Sequence, residues 1–274
     1  MQRYTYLNGR ILPHEKAMVR VDDIAISRGF GIYEGIATYG GEPFEFPAHY
    51  RRFVRSAKLM GLRVPVSEKK LKDIILTLIE KNTFKHPLAR VLLTGGTVLR
   101  GIDFDPRHPT CIVTLEETPV LPPRICHSGA KVITHEFLRH IPEAKTVNYI
   151  EAVLLQPKLR KAKALEVIYT WKGKMLEAST SNMFIVRKGV VITPKKGVLG
   201  GITRQVVLRL AKGAYTVEER DVSAKEMFSA DEVFLTSSFK EIVPIAQIDG
   251  TRIGKPGKIT RDLMQRFRTY TTLS

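Results

Sequence analysis

Several residues in this 274-residue chain are of kinds that carry chemistry. Lys145 stands in the stretch His140-Ile-Pro-Glu-Ala-Lys-Thr-Val-Asn-Tyr149, at the mouth of a predicted helix, a setting that could make its amine a nucleophile. One residue among 44 Lys and Arg is also an ordinary solvated charge, so the reading depends on partners elsewhere in the chain. The run Gly197-Val-Leu-Gly200-Gly201-Ile202-Thr203-Arg204 is a glycine-rich turn feeding a helix, and the unpaired N–H groups of a helix start bind anions. It equally has the form of a plain tight turn. Arg51 and Arg52 fall near the first turn of another predicted helix, where the dipole favours an anion. Arg28 lies in a polar, glycine-flanked loop and can be a surface charge. Arg90 interrupts an apolar strand; it needs a partner if it points inward, and it can equally point outward. Thr236-Ser237-Ser238 clusters hydroxyls at the end of a strand.

Those residues need elements to hold them. The spacing predicts a hairpin over 4–13 turning at Asn8-Gly9, and a strand pair around 31–39 reversed at Gly40-Gly41. His49, Phe53, Ala57 and Met60 recur at helical spacing over 47–61. Ser67 can cap a second helix whose apolar stripe is Leu71, Ile74, Ile75, Leu78 and Ile79. Strands are expected over 88–95, carrying Arg90, and over 111–116. Three prolines within 117–124 stiffen the chain and mark a boundary, giving domains of 1–118 and 125–274 with a linker over 119–124. Beyond it come a strand over 130–134 and a helix over 149–164 adjusted near Pro157. Four strands over 166–194, turning at Gly173 and Gly189, read as an antiparallel sheet. A helix with Val206, Val207, Leu210 and Ala211 inward, a strand over 232–235 and a closing helix over 259–270 complete the α/β chain.

Composition excludes several function classes. Hydrophobic content of 43% and charged content of 26% are those of a soluble globular protein with a substantial core. No apolar run is long enough to span a bilayer, and the start MQRYTYLNGR is too polar for a signal peptide, so no membrane partner is expected. Cys111 and Cys126 are too few for a disulfide framework or a metal cluster, which makes a reducing cytoplasm the expected compartment. The net charge of +17 would suit a basic nucleic-acid-binding protein. However, the basic residues are dispersed and not interleaved with aromatics, so a solvated basic surface is expected and nucleic acid is not.

Taken together and in order, six motifs carry a resemblance. They are Arg28-Gly-Phe-Gly-Ile-Tyr-Glu-Gly35, His49-Tyr-Arg-Arg52, Lys145-Thr-Val-Asn-Tyr149, Glu177-Ala-Ser-Thr-Ser-Asn182, Gly201-Ile-Thr-Arg204, and Thr236-Ser-Ser238 with Glu241-Ile-Val-Pro244. The chain resembles, over nearly its whole length, the class IV (fold type IV) pyridoxal 5'-phosphate (PLP) aminotransferases. These include D-amino-acid aminotransferase, branched-chain aminotransferase and aminodeoxychorismate lyase. The resemblance implies two α/β domains with the cofactor in the cleft between them, in a homodimer. It implies that Lys145 is the Schiff-base lysine, which alternates as general base and acid while PLP and pyridoxamine phosphate interconvert. Glu177 resembles the carboxylate that pairs with the pyridine nitrogen. Arg52, the Ile202 and Thr203 backbone N–H groups and the Ser238 hydroxyl resemble the phosphate ligands, and Tyr149 resembles a tyrosine near the phenolic oxygen.

The motifs are mixed as to substrate. Tyr-Glu-Gly35 is similar to branched-chain enzymes. The Arg-Gly-Phe-Gly loop, the Lys145-to-Asn148 spacing, Gly-Ile-Thr-Arg204 and the short length are similar to D-amino-acid enzymes. A transaminase must hold a substrate carboxylate, and a guanidinium fork does so with two hydrogen bonds. Arg28, reaching across from a neighbouring subunit, and Arg90 could form such a pair, as in certain atypical D-amino-acid aminotransferases. Arg100, in Val98-Leu99-Arg100, is a weaker candidate. The expected reaction is transfer of an amino group from a D-amino acid to 2-oxoglutarate or pyruvate. Branched-chain L-amino-acid transamination and aminodeoxychorismate lyase chemistry are the alternatives.

Overall fold

The computed structural model describes residues 3–273, in two compact units. The division falls at Thr118/Pro119, inside the proline-rich stretch. The first unit comprises the chain up to Thr118 together with Ala144–Asn148; the second comprises Pro119–Glu143 and Tyr149–Leu273. The Lys145 segment therefore packs with the N-terminal elements, not with the 125–274 segment that surrounds it in sequence.

In the first unit, β1 (Tyr4–Leu7) and β2 (Arg10–Pro13) form the opening hairpin. α1 (Ile24–Arg28) precedes β3 (Gly31–Tyr39) and the two-residue β4 (Glu42–Pro43). Next come α2 (Phe46–Leu59), α3 (Glu68–Lys81), β5 (Pro87–Thr94), the short pair β6 (Val98–Arg100) and β7 (Asp103–Phe104), and β8 (Thr110–Glu117). The main sheet runs β2-β1-β8-β5-β3-β4, antiparallel throughout.

Strand alternation gives that sheet two different faces. Ile32, Ile36, Val91, Leu93 and Val113 face a core completed by Phe53, Leu71, Ile75 and Leu78 of α2 and α3. Tyr33, Arg90, Leu92, Ile112, Thr114 and Glu116 alternate with them and are only half-buried. α3 starts as its sequence predicts, with the Ser67 hydroxyl accepting from the Lys70 N–H.

Two expectations are corrected here. The polar loop over 22–31 contains a helix, α1, because Asp23 caps it: one carboxylate oxygen accepts from the Ala25 N–H and the other from the Thr94 hydroxyl, both at 2.8 Å. In addition, α2 begins at Phe46, so Arg51 and Arg52 lie in its second turn and not its first.

The second unit contains α4 (Pro123–Ser128), β9 (Ala130–Glu136), α5 (Ile150–Leu154), α6 (Gln156–Ala162), β10 (Glu166–Trp171), β11 (Lys174–Ala178), β12 (Asn182–Arg187) and β13 (Val190–Thr193). α7 (Ile202–Lys212), β14 (Val217–Glu219), β15 (Val222–Ser223), α8 (Ala224–Phe228), β16 (Glu232–Ser237), β17 (Glu241–Ile248), β18 (Thr251–Arg252) and α9 (Lys258–Leu273) follow. The predicted helix over 149–164 is two helices meeting at Leu155, with Pro157 placed in the first turn of α6, where its missing N–H costs nothing.

The sheet order is β14-β13-β12-β16-β17-β9-β10-β11-β15, with β18 beside β17. It is mixed, not antiparallel: β9 is parallel to both β10 and β17, and β13 to β14. Helical crossovers return the chain in the direction it left, α5–α6 between β9 and β10 and α7 between β13 and β14. Sequential strands β11 and β12 consequently are not paired; β12 pairs with β16. Met183, Ile185, Val233 and Leu235 enter one core, while Phe184 and Phe234 stack 4.8 Å apart on the opposite face. In α7 the inward residues are Val206, Val207, Leu208 and Ala211, with Leu210 only half-buried.

Candidate functional site

Lys145 is held along the start of β3. Its carbonyl accepts from the Tyr33 N–H at 2.9 Å, and the Val147 N–H donates to the Gly31 carbonyl at 3.0 Å. The Lys145 N–H donates to the buried Ser56 hydroxyl of α2 at 3.1 Å. A lysine inside a short extended segment, tied on both edges, has a fixed origin for its flexible side chain. The amine then meets Tyr33: Nζ is 3.2 Å from the phenol oxygen and 4.3 Å from the ring centroid. Arg90 lies over the same ring, its guanidinium carbon 6.0 Å from the centroid. Amine and guanidinium therefore share one aromatic ring. Arg90 Nε and Nη2 both contact Oε1 of Glu116, at 2.8 and 2.7 Å. Of the two directions left open by sequence, Arg90 takes the face away from the core.

On the core side of β3, Glu34 is fully buried and accepts from Arg52 Nε at 2.8 Å, Arg52 Nη2 at 2.6 Å and His49 Nδ1 at 2.7 Å. Burial works against ionising Glu34, yet the Arg52 charge and the hydrogen bonds from Arg52 and His49 outweigh it and hold the carboxyl at about 2. Burial lowers the His49 pKa, and the Arg52 and Lys145 charges lower it further against the pull of Glu34. The imidazole is neutral and Arg52 is anchored. Arg28 is exposed at the C-terminus of α1, its Nη1 donating to the Ser27 carbonyl, and Arg100 is exposed on β6.

In the second unit, Glu177 lies near the end of β11 as a buried carboxylate with donors on both oxygens. Oε1 accepts from Arg139 Nε at 2.9 Å and Nη2 at 2.7 Å; Oε2 accepts from the Leu199 N–H at 2.9 Å and Asn182 Nδ2 at 3.2 Å. Asn182 also donates to the Leu199 carbonyl at 2.8 Å, joining the carboxylate to the turn that leads into α7. At that turn Gly201 is the N-cap and offers no side chain, leaving the Ile202 and Thr203 N–H groups at an uncapped helix start. A Cβ on Gly201 would lie 1.8 Å from Asn182 Oδ1, so the close approach requires glycine. Thr236 pairs with Asn182 across β12 and β16, and its buried hydroxyl has no hydrogen-bond partner among the described residues. Ser238 follows, half-buried in the turn after β16. Tyr149 caps α5; burial, with Glu151 and Tyr149 close by, pushes the Tyr169 hydroxyl up.

Sequence reasoning missed Tyr33, Glu34, Arg139 and Asn182 as individual contributors. Glu34 had a usable signal: an acid in an otherwise apolar strand needs a cation, the argument that singled out Arg90. Arg139 had none, because its partner is 38 residues away.

Comparison with known proteins gives a consistent picture. Residues 31–248 match the family described as Amino-transferase class IV. A Methanocaldococcus jannaschii protein, provisionally named a branched-chain-amino-acid aminotransferase, is 33% identical, with 97% of this chain and 96% of that protein covered. The D-alanine aminotransferase of Bacillus licheniformis is 30% identical over 93% of each chain. Among solved structures, a branched-chain amino acid aminotransferase from T.th., crystallised with pyridoxamine 5'-phosphate, superposes with a TM-score of 0.92 at 28% identity, covering 99% of this chain and 95% of its own. The Escherichia coli branched-chain amino acid aminotransferase superposes with a TM-score of 0.90 at 27% identity, with 99% of this chain and 95% of that one covered.

Proposed function

The chain belongs to the class IV aminotransferases, which use PLP, and on that premise we propose that it moves the amino group of a D-amino acid to 2-oxoglutarate or pyruvate. The residues present fit the cofactor: a tethered lysine amine, a buried carboxylate with fixed donors, and an uncapped helix start beside an unpartnered buried hydroxyl. PLP, when bound, supplies a carbonyl carbon for the amine and a pyridine ring that accepts electrons from the substrate Cα.

The chain's own residues do the rest. Lys145 Nζ binds the cofactor and, once released, takes the Cα proton and returns it. Tyr33, by hydroxyl and ring face, restricts where that amine can move. Glu177, held on both oxygens, keeps the pyridine nitrogen protonated, and Arg139 orients it. The Ile202 and Thr203 N–H groups, Ser238 and Arg52 would bind the phosphate, and the Thr236 hydroxyl would add to them. An arginine has five N–H donors, so the Glu34 fork on Nε and Nη2 does not exhaust those of Arg52. Tyr149 would serve the cofactor's phenolic oxygen.

The observation that carries the reading is Lys145 and Arg90 flanking one aromatic ring, an amine and a carboxylate-binding group in reach of a small substrate. Arg28 joins Arg90 from a second copy of the chain. Support for a homodimer comes from the exposed apolar side chains Met18, Val21, Ile26, Leu99 and Ile102, carried by the two segments that the Asp23–Thr97 bridge joins. A cytoplasmic location belongs to the same reading and is supported by the free thiols of Cys111 and Cys126. No described helix is long and apolar enough to cross a membrane.

A branched-chain L-amino-acid aminotransferase is the second reading. Half-buried Leu92 and Ile112 beside Tyr33 favour it, because they would suit a branched side chain.

The visible absorbance of the purified protein tests both readings. A cofactor band that disappears in Lys145→Ala, and that D-alanine or D-glutamate bleaches while L-leucine and L-glutamate do not, is the expected result. Bleaching by the L-amino acids alone selects the branched-chain reading. No band after adding PLP removes the cofactor roles given to Lys145 and Glu177.

A further inference from the structure

Two arginines of the first unit are each paired with a glutamate, and the two pairs differ in kind. Arg52 and Glu34 make a two-oxygen fork, Nε to Oε1 and Nη2 to Oε2, with side chains 5% and 1% exposed. Arg90 sends both nitrogens to the single oxygen Oε1 of Glu116, and those side chains are 33% and 41% exposed. A buried fork is costly to break, because either partner would be left as a buried charge without its counter-ion. A half-exposed pair is worth little, and its glutamate returns to water at small cost. The first arrangement is fixed; the second is exchangeable.

The exchangeable pair is the one that faces the amine. Arg90 opposes Gly35 on β3 and Thr114 on β8, so no large side chain lies beside it across either strand. Its guanidinium and the Lys145 amine lie against the same Tyr33 ring. The Nε–Nη2 edge that Glu116 holds is one of the two edges by which a guanidinium receives a carboxylate with two hydrogen bonds.

We propose that Glu116 is a specificity-determining residue: its carboxylate holds the side-on edge of Arg90 and sets its negative charge beside the place a substrate carboxylate takes. The inference rests on the reading of Arg90 as a carboxylate ligand. Each substrate competes with Glu116 for the guanidinium and meets its negative charge while doing so. A dicarboxylate substrate meets that charge twice, once for each carboxylate. Glu116 therefore weakens binding of all carboxylate substrates and disfavours D-glutamate and 2-oxoglutarate relative to D-alanine and pyruvate.

The test compares Glu116→Gln and Arg90→Gln with the wild-type holoenzyme. Both sites are partly exposed, and an unchanged cofactor band together with unchanged circular dichroism confirms the fold of each variant. Steady-state kinetics are measured with the amino acids and keto acids above, and calorimetry measures binding of succinate and acetate as unreactive probes. Glu116→Gln is expected to lower KM for the dicarboxylates about two- to fivefold, to lower it less for the monocarboxylates, and to leave kcat nearly constant. Succinate should bind more tightly by a similar factor, acetate less so. Arg90→Gln should raise every carboxylate KM. If Arg90→Gln raises KM while Glu116→Gln raises it or leaves it unchanged, Glu116 merely supports Arg90 and the inference fails alone. If Arg90→Gln leaves KM unchanged, the reading of Arg90 fails and the inference falls with it.

Discussion

Replacing Glu34 by Gln keeps the shape of the side chain and removes its charge, leaving the buried Arg52 guanidinium without its Glu34 counter-ion. The size of the effect follows from the proton affinity of Glu34. Its carboxyl is held at about 2 against an ordinary value of 4.5, and that difference corresponds to roughly 3 kcal/mol of folding stability. Because the folded value is the lower one, the contribution is complete above pH 4.5 and is lost as pH falls from 4.5 toward 2. Burial of neutral His49, whose pKa is lowered from 6.5, adds a loss in the same direction that begins at milder acidity. Glu34→Gln should cost about 3–5 kcal/mol at neutral pH, since breaking a buried ion pair exposes the remaining charge to the full desolvation penalty. In thermal unfolding this is a fall of roughly 10 °C. The assay is urea unfolding of both proteins across a pH series from neutral down to the acid limb, at a fixed saturating PLP concentration. Wild type should lose stability steeply below pH 4.5, and Glu34→Gln should start lower and fall less. A loss under about 1 kcal/mol at neutral pH, with an unchanged acid slope, would refute the claim that this fork anchors Arg52. The double variant Glu34→Gln/Arg52→Gln should recover part of the loss, because the buried guanidinium that lost its Glu34 counter-ion is then also gone.

Two further outcomes follow from local geometry. Gly201→Ala places a methyl group 1.8 Å from Asn182 Oδ1 and must displace the side chain that joins Glu177 to Leu199. It should lose PLP on dialysis at least about tenfold faster than wild type, with about 1–3 kcal/mol of destabilisation; cofactor retention equal to wild type would show that the cradle tolerates a side chain. Cys111 is buried and its thiol is pushed up to about 12, while Cys126 is half-exposed, so a thiol reagent at neutral pH should modify one cysteine quickly and the second only on unfolding. Two rapidly reacting thiols in the native protein would contradict the burial.

Local pattern read well wherever a residue's role is set by its immediate neighbours. The Asn8-Gly9 turn and the Ser67-capped stripe of α3 both depend on nearby chemistry, and each lies where the sequence places it. Where the reading failed, partners were distant. The α1 helix was hidden because its cap, Asp23, is also held by Thr94, 71 residues on. The second sheet read as antiparallel because glycine turns signal hairpins, whereas the order of β9, β10 and β17 is set by a helical crossover that periodicity does not reveal.

The sequence by itself determined the kinds of groups present and their order: one lysine in a distinctive segment, a later glutamate, a glycine-rich helix start, a hydroxyl cluster, and arginines in an apolar strand and a helix. Side-chain chemistry belongs to residue type, and cooperating motifs keep their order along a chain, so these were readable. Which arginine is fixed and which is exchangeable depends on packing, since Arg52 and Arg90 differ in the burial of their glutamates and not in their own chemistry. Only the tertiary structure decided that Lys145 packs with β3, its amine meeting Tyr33 from 112 residues away, and that the same ring carries Arg90. Such pairings depend on strand register and on the face a side chain takes, and both are consequences of how the whole sheet packs.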